Sequence, residues 1–163
     1  MREFLLLLLI LPSLPALAYD IKGMRIGGKE IDVKKVMPSA HCKALEWKSD
    51  AADRRCDDAK LSLGGAEARI TVFLKADSIQ AFSLSFDVKE LDRVKAHLRG
   101  QWGAPLAEVT ETIARKDKPD RKVFRMRWEQ GAEYAVIVGQ LEKKRATLDI
   151  ARGSFAEDIY RIR

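Results

Sequence analysis

Along IQAFSLSF, Phe82, Leu84 and Phe86 alternate with Ser83 and Ser85, a period of two that predicts a half-buried antiparallel strand. The stretch before it, AEARITVFLK, has the same rhythm. Ala66, Ala68, Ile70, Val72 and Leu74 alternate with Glu67, Arg69, Thr71 and Lys75, broken only by Phe73. Gly64-Gly65 joins it to Leu61-Ser62-Leu63 as a hairpin, because glycine supplies the positive φ angles of a tight turn, and Ala76-Asp77-Ser78 makes the next turn. A second run of strand signals follows further on. Ala107, Val109 and Ile113 alternate with polar neighbours, and Phe124, Met126 and Trp128 with arginines; Tyr134, Val136 and Val138 form another period-two face, and Ala146, Leu148 and Ile150 the last. Lys116 to Asp120, Gln130-Gly131 and Leu141 to Lys143 are the intervening turns.

Three segments have helical signals. KEIDVKKVM sets Ile31, Val33, Val36 and Met37 at mixed helical spacing and stops at Pro38, which cannot continue a helix without losing a hydrogen bond. Asp87 and Glu90 make an acidic N-cap pair ahead of Leu91, Val94 and Leu98, predicting a helix from Val88 to Arg99 closed by Gly100. Ser154 and Glu157 form a capping box before a short C-terminal helix. The two halves therefore share a grammar of one helix and about four antiparallel strands, and ARITVFLKADSIQAFSLSFD matches EYAVIVGQLEKKRATLDIAR in rhythm though hardly in identity. The expected fold is α+β: an antiparallel sheet with helices on one face, in a tandem of two helix-plus-four-strand modules at 19–87 and 88–163.

The first residues, MREFLLLLLILPSLPALAYD, change the setting. A charged start, an apolar run too short to span a bilayer, a Pro-Ser-Leu-Pro break and Ala16-Leu17-Ala18 predict a secretory signal peptide, residues 1–18, cleaved after Ala18. No cysteine follows the apolar run, so no lipid anchor is expected and the mature chain is placed in the periplasm or outside the cell. The net charge of +6 favours an acidic partner, whether another envelope or secreted protein or an anionic envelope surface; for an exported chain nucleic acid is not the expected target. The chain contains no asparagine, which removes Asn as a catalytic or capping residue.

Export bears on HCKALEWKSDAADRRCDD, residues 41 to 58, which holds both cysteines and one of the two histidines. His41, Cys42, Cys56 and Asp57 are metal-ligand types, but adjacent residues of an extended chain point to opposite sides and no C-x-x-C or H-x-x-x-H spacing is present. A nucleophilic cysteine needs a base within reach, and neither His41 nor His97 on the second helix is placed as one. An even cysteine count in an exported chain points instead to a Cys42–Cys56 disulfide across a hairpin with a polar turn at Ser49 to Asp53. No metal or cofactor is expected. G-x-S-x-G, H-E-x-x-H, the P-loop and the dinucleotide fingerprint are all absent, so the chain reads as non-enzymatic; a separated carboxylate pair, as in a small hydrolase of envelope polymers, is the alternative from another class.

The densest charge lies in ARKDKPDRKVFRMRW, where Arg115, Lys116, Lys118, Arg121, Lys122, Arg125 and Arg127 face only Asp117 and Asp120. With Arg125 and Arg127 opposite Phe124, Met126 and Trp128, this hairpin presents either a solvated sheet edge or an electrostatic docking surface. Trp102, in a glycine-flanked link, is the tryptophan expected to be exposed; His97 is read as a plain surface residue.

The segment YDIKGMRIGGKEIDVKKVMPSAHC, with Ile21, Gly23, Ile26, Gly27, Val33 and Pro38, resembles the repeat of the β-lactamase inhibitory protein-like and small outer-membrane-assembly (OmlA-like) modules. In the second half only Val94, Leu98, Gly103 and Pro105 answer to that pattern. The resemblance implies a sheet-faced module that binds other proteins, with Cys42 and Cys56 where the inhibitor modules carry a disulfide. The function expected is that of an exported, periplasmic protein-binding module that inhibits an envelope protein, with an assembly or chaperone-like envelope factor as the alternative.

Overall fold

A computed structural model describes residues 19–161, so the expected signal peptide lies outside the described residues. Long strands dominate. After a minimal hairpin of β1 (Asp20–Ile21) and β2 (Met24–Arg25) come α1 (Glu30–Val36), β3 (His41–Ala44), β4 (Arg54–Leu63), β5 (Ala66–Lys75) and β6 (Ser78–Asp87). A single 3-10 turn leads into α2 (Leu91–Trp102), followed by β7 (Ala107–Ile113), β8 (Arg121–Gln130), β9 (Glu133–Gln140), β10 (Arg145–Arg152) and α3 (Phe155–Asp158).

Strands β3 to β10 form one eight-stranded sheet in the order β3-β4-β5-β6-β10-β9-β8-β7. Every neighbouring pair is antiparallel. This corrects the expected tandem of helix-plus-four-strand modules. The helices are short, with seven, twelve and four residues in α1, α2 and α3. The β6–β10 seam makes the sheet continuous, and one apolar core runs from Val72 and Leu84 through Leu148 to Met126. Nor do all helices share a face: α1 and α2 cover one side, whereas Phe155 of α3 and the neighbouring Ile159 pack on the other against Phe73, Ala81 and Ala151.

Register shows why the covered side is so completely apolar. Ile70, Leu84, Leu148, Ile137 and Met126 stand side by side on five successive strands, each no more than 2% exposed. Val72, Phe82, Ile150, Ala135 and Trp128 form the next row. Burying a Leu or Ile side chain contributes roughly 1.5–3 kcal/mol, so these rows dominate stability. Onto them α2 lays Leu91, Val94 and Leu98, and α1 lays Val33. Gly64, at φ +58°, turns β4 into β5 directly beneath α2, where a Cβ would stand 2.5 Å from His97; His97 is half-buried there rather than a free surface residue.

Local details differ from the sequence expectation in four places. Helix α2 passes through Gly100 and ends at Gly103, whose φ of 79° and N–H to the Arg99 carbonyl close it. Asp87 does accept from the Lys89 N–H, but the Ser154 hydroxyl bonds Asp158 rather than a backbone amide, so that capping box does not form. In β9 it is Ala135, Ile137 and Gly139 that face the helices, leaving Tyr134, Val136 and Val138 half-buried on the opposite side. Trp102, expected to be exposed, is half-buried, edge-on to both Tyr19 and Trp128 at 5.0 and 5.5 Å.

Candidate functional site

The second face of the sheet is only partly covered. One end carries a small wall made by the 45–53 loop and α3. Trp47 stacks on Tyr160 at 5.6 Å and donates its indole N–H to the Ile159 carbonyl at 2.7 Å, and Phe73 meets Phe155 at 5.5 Å. The Cys42–Cys56 disulfide closes the base of this loop, joining directly opposed residues of β3 and β4. The stretch from His41 to Asp58 is thus a staple that holds one wall of a platform. His41 and Asp57 are paired on the other side of the same two strands, and Glu30, close to the sulfurs, is bound by the Arg54 guanidinium at 3.0 Å.

Beyond the wall the face is open, and its polar side chains are in register. His41, Asp57, Thr71, Ser83, Asp149, Val136 and Arg127 lie opposite one another in turn across β3, β4, β5, β6, β10, β9 and β8. A second row runs Arg69, Ser85, Thr147, Val138, Arg125 and Val109. Thr71 donates to Asp57 at 2.7 Å and Ser83 to Asp149 at 2.5 Å. Two grooves lie over this area. The first, of about 450 Å³, is bordered by Asp57, Arg69, Thr71, Ser83, Ser85, Arg145 and Thr147. A wider one of about 640 Å³ continues past Arg69 and Arg145 to Lys144 and Lys89. Among the described residues Arg69 and Arg145 have no acidic partner, whereas Arg55 is held by Asp57 at 3.0 Å and Lys89 by Asp87 at 3.7 Å.

Asp149 is the most unusual ionisable group on the face. Burial raises its pKa above the ordinary aspartate value, and the hydroxyls of Ser83 and Thr147, which favour the carboxylate, only oppose that effect. Beside it a pocket of about 270 Å³ reaches under α3, lined by Phe73, Ala81, Tyr134, Ala151, Phe155 and Tyr160. Tyr134 is likewise shifted upward by burial.

The basic hairpin lies at the opposite margin of the sheet. Arg115, Lys116 and Lys118 occupy the β7–β8 turn and Arg121, Lys122, Arg125 and Arg127 lie on β8. Arg125 contacts Glu111 at 3.6 Å and Arg127 contacts Glu129 at 2.5 Å while stacking over Tyr134 at 5.1 Å. The Arg115 guanidinium is turned to the Pro119 carbonyl, and Glu142 accepts from the Lys122 N–H, which holds that carboxyl below its usual range. Lys116 and Lys118 have no ion-pair partner among the described residues. Of this set, Arg125 and Arg127 share the open face with Arg69 and Arg145; the others lie at its corner.

Arg69, Arg145 and Asp149 were missed as site residues by sequence reasoning. Arg69 registers there only as a polar alternation partner of Ile70, and nothing local marks Asp149, because what makes it unusual is Ser83, its neighbour across the β6–β10 seam. Comparison of the chain with protein-family models, curated proteins and solved structures finds no match. Among the described residues no helix is long and apolar enough to cross a membrane, and the disulfide is compatible with an exported protein.

Proposed function

We propose that the protein is an exported, non-enzymatic module of the bacterial envelope that binds, and through that binding inhibits, another protein, and that it does so on the open face of its sheet. The observation that carries this reading is the pair Arg69 and Arg145. Two guanidiniums without acidic partners among the described residues border a groove floored by Ser85 and Thr147, with Val136 and Val138 half-buried alongside. Unpaired guanidiniums match carboxylates in bidentate fashion, hydroxyls adapt to either hydrogen-bonding role, and β-branched side chains supply apolar contact. Arg125, Arg127 and the lysines at the hairpin corner add a field that speeds the approach of an acidic surface. A partner with an acidic face suits both parts.

The separation of Asp57 and Asp149 argues against their serving as the carboxylate pair of a hydrolase. Asp57 and Asp149 lie three strands apart in one row, about 14 Å at ~4.8 Å per strand, beyond the ~10 Å within which two carboxyl groups flank a glycosidic bond. Asp57 also stands between His41 and Thr71, so the imidazole is not the neighbour of the hydroxyl it would have to deprotonate.

The test is quantitative capture from envelope extract with the oxidised mature protein as bait. One specific protein should be recovered by wild type, at least tenfold less by the Arg69→Glu/Arg145→Glu variant, and by Arg125→Glu/Arg127→Glu with slower association and a weaker loss on adding salt than wild type shows. Recovery of nothing above control, or equal recovery by wild type and the Arg69/Arg145 variant, overturns the assignment.

A further inference from the structure

The groove and the pocket beneath α3 share Ser83 and Thr147, so they form one continuous surface whose two ends differ in charge. At the groove end stand Arg69 and Arg145, together with Asp57, which is paired with Arg55, and Asp58, which accepts from the Ser39 hydroxyl and the Lys60 N–H; at the pocket end stands a single carboxylate, Asp149. That carboxylate receives hydrogen bonds from the Ser83 and Thr147 hydroxyls, but among the described residues no cation pairs with it. Its surroundings are apolar and aromatic: Phe73, Ala81, Ala151 and Phe155 on the floor, Tyr134 and the exposed Tyr160 at the sides. A desolvated carboxylate facing an open apolar pocket is costly by itself and becomes favourable when a cation fills the pocket. Aromatic walls favour the same occupant.

We infer that this pocket is a socket for one basic side chain, arginine or lysine, of the protein that docks on the open face. The inference rests on that docking reading and extends it. Volume sets the size of the occupant: about 270 Å³ is just under the range of pockets that enclose a whole small-molecule ligand, and suits the end of one long side chain. Geometry sets the pattern around it. Asp149 and Arg145 lie on the same face of β10, four residues and so about 13 Å apart. The matching epitope therefore carries a basic anchor about 13 Å from an acidic group, a spacing an extended partner segment meets with residues i and i+4. A uniformly acidic surface would satisfy the guanidiniums and leave the socket empty. The socket thus adds discrimination among acidic partners, because a neutral residue at the anchor position leaves the Asp149 carboxylate unpaired.

A titration of isotopically labelled, oxidised protein with n-butylguanidinium chloride, followed by amide proton–nitrogen spectra, tests the socket without any partner. Saturable shifts are expected at the amides of Ser83, Thr147, Asp149 and Ala156, with n-butanol, the neutral counterpart, binding at least tenfold more weakly. Asp149→Asn should weaken the guanidinium response at least tenfold with the remaining amide spectrum unchanged. Tyr160→Ala, at an exposed wall and so tolerated by the fold, should weaken it about threefold. Equal binding of butanol, an undiminished response in Asp149→Asn together with Tyr160→Ala, or shifts confined to the exposed carboxylates of β7 and β8 would overturn the socket. Failed capture from extract with a guanidinium response intact would instead overturn the docking reading, so the two failures are separable.

Discussion

The two faces of the central sheet are built from the same strands and have opposite chemistry. On the helix-covered side the middle row is Ile70, Leu84, Leu148, Ile137 and Met126, sealed from water. One residue along each strand, the other side reads Thr71, Ser83, Asp149, Val136 and Arg127. Period-two alternation makes this division automatic. What it does not explain is why the second side also carries apolar residues at all, and five of these make a contrast. Phe73, Ala81 and Ala151 are covered by the disulfide-stapled loop and α3, whereas Val136 and Val138 are left half-buried without a cover. The covered face holds the fold; the open one leaves Val136 and Val138 half-buried beside its polar rows.

That division is most exposed to a pair of truncations. Leu148→Ala should cost about 2–5 kcal/mol, because it leaves a cavity in the centre of the covered core, while Val138→Ala on the open side should cost under about 1 kcal/mol. Urea unfolding curves with unchanged slopes would measure both, and a comparable loss at the two sites would show the open face to be structural. Next in size is the staple. Replacing Cys42 and Cys56 together by serine should cost about 3 kcal/mol and loosen the 45–53 loop, moving Trp47 toward water and its emission to the red. Thiol titration of the oxidised native protein should find no free cysteine.

A smaller effect has the opposite sign. Folded Asp149 holds its proton to a higher pH than the unfolded chain does, so its ionisation removes stability as pH rises from 3.8 through the raised folded value. Asp149→Asn should therefore stabilise the protein at neutral pH, and the gain should vanish well below pH 3.8, where both states are protonated. Thermal melts of both proteins across that range would show it. A stability loss at neutral pH would mean the charge itself serves the fold. Arg69→Glu/Arg145→Glu should move stability by no more than about 0.5 kcal/mol, which keeps its capture phenotype interpretable.

Much of the fold is legible in local pattern. The Phe/Ser alternation of β6, the Gly64-Gly65 turn and the Asp87 cap each leave a signal within a few residues, and the structure uses all three. Phe73, the one break in the β5 alternation, is also a signal: it belongs to the second, smaller core beneath α3. Where local pattern fails, two solutions compete at short range. Gly100 and Gly103 both offer a stop for α2, and only packing of Trp102 between Tyr19 and Trp128 carries the helix on to the second. In β9 both phases are apolar, so the choice between Ala135-Ile137-Gly139 and Tyr134-Val136-Val138 is made by which neighbours α2 can reach. The candidate site was the least legible part. Asp149 meets Ser83 from 66 residues away, and the open groove exists only once β6 and β10 pair.

That seam also governs how the molecule is assembled. Strands β3 to β6 and β7 to β10 each zip up through short hairpins between neighbours in the chain, but the pair at the middle of the sheet joins Ala81 to Ala151, and so the last strand inserts at the centre rather than adding at an edge. Non-local pairing of this kind is slow relative to hairpin closure. Until β10 arrives, β6 waits with its hydrogen-bonding edge bare and Phe82, Leu84 and Phe86 half clothed, the state in which such a chain is most open to intermolecular pairing. The open face, which takes Ser83 from β6 and Asp149 from β10, is complete only once that central seam has closed.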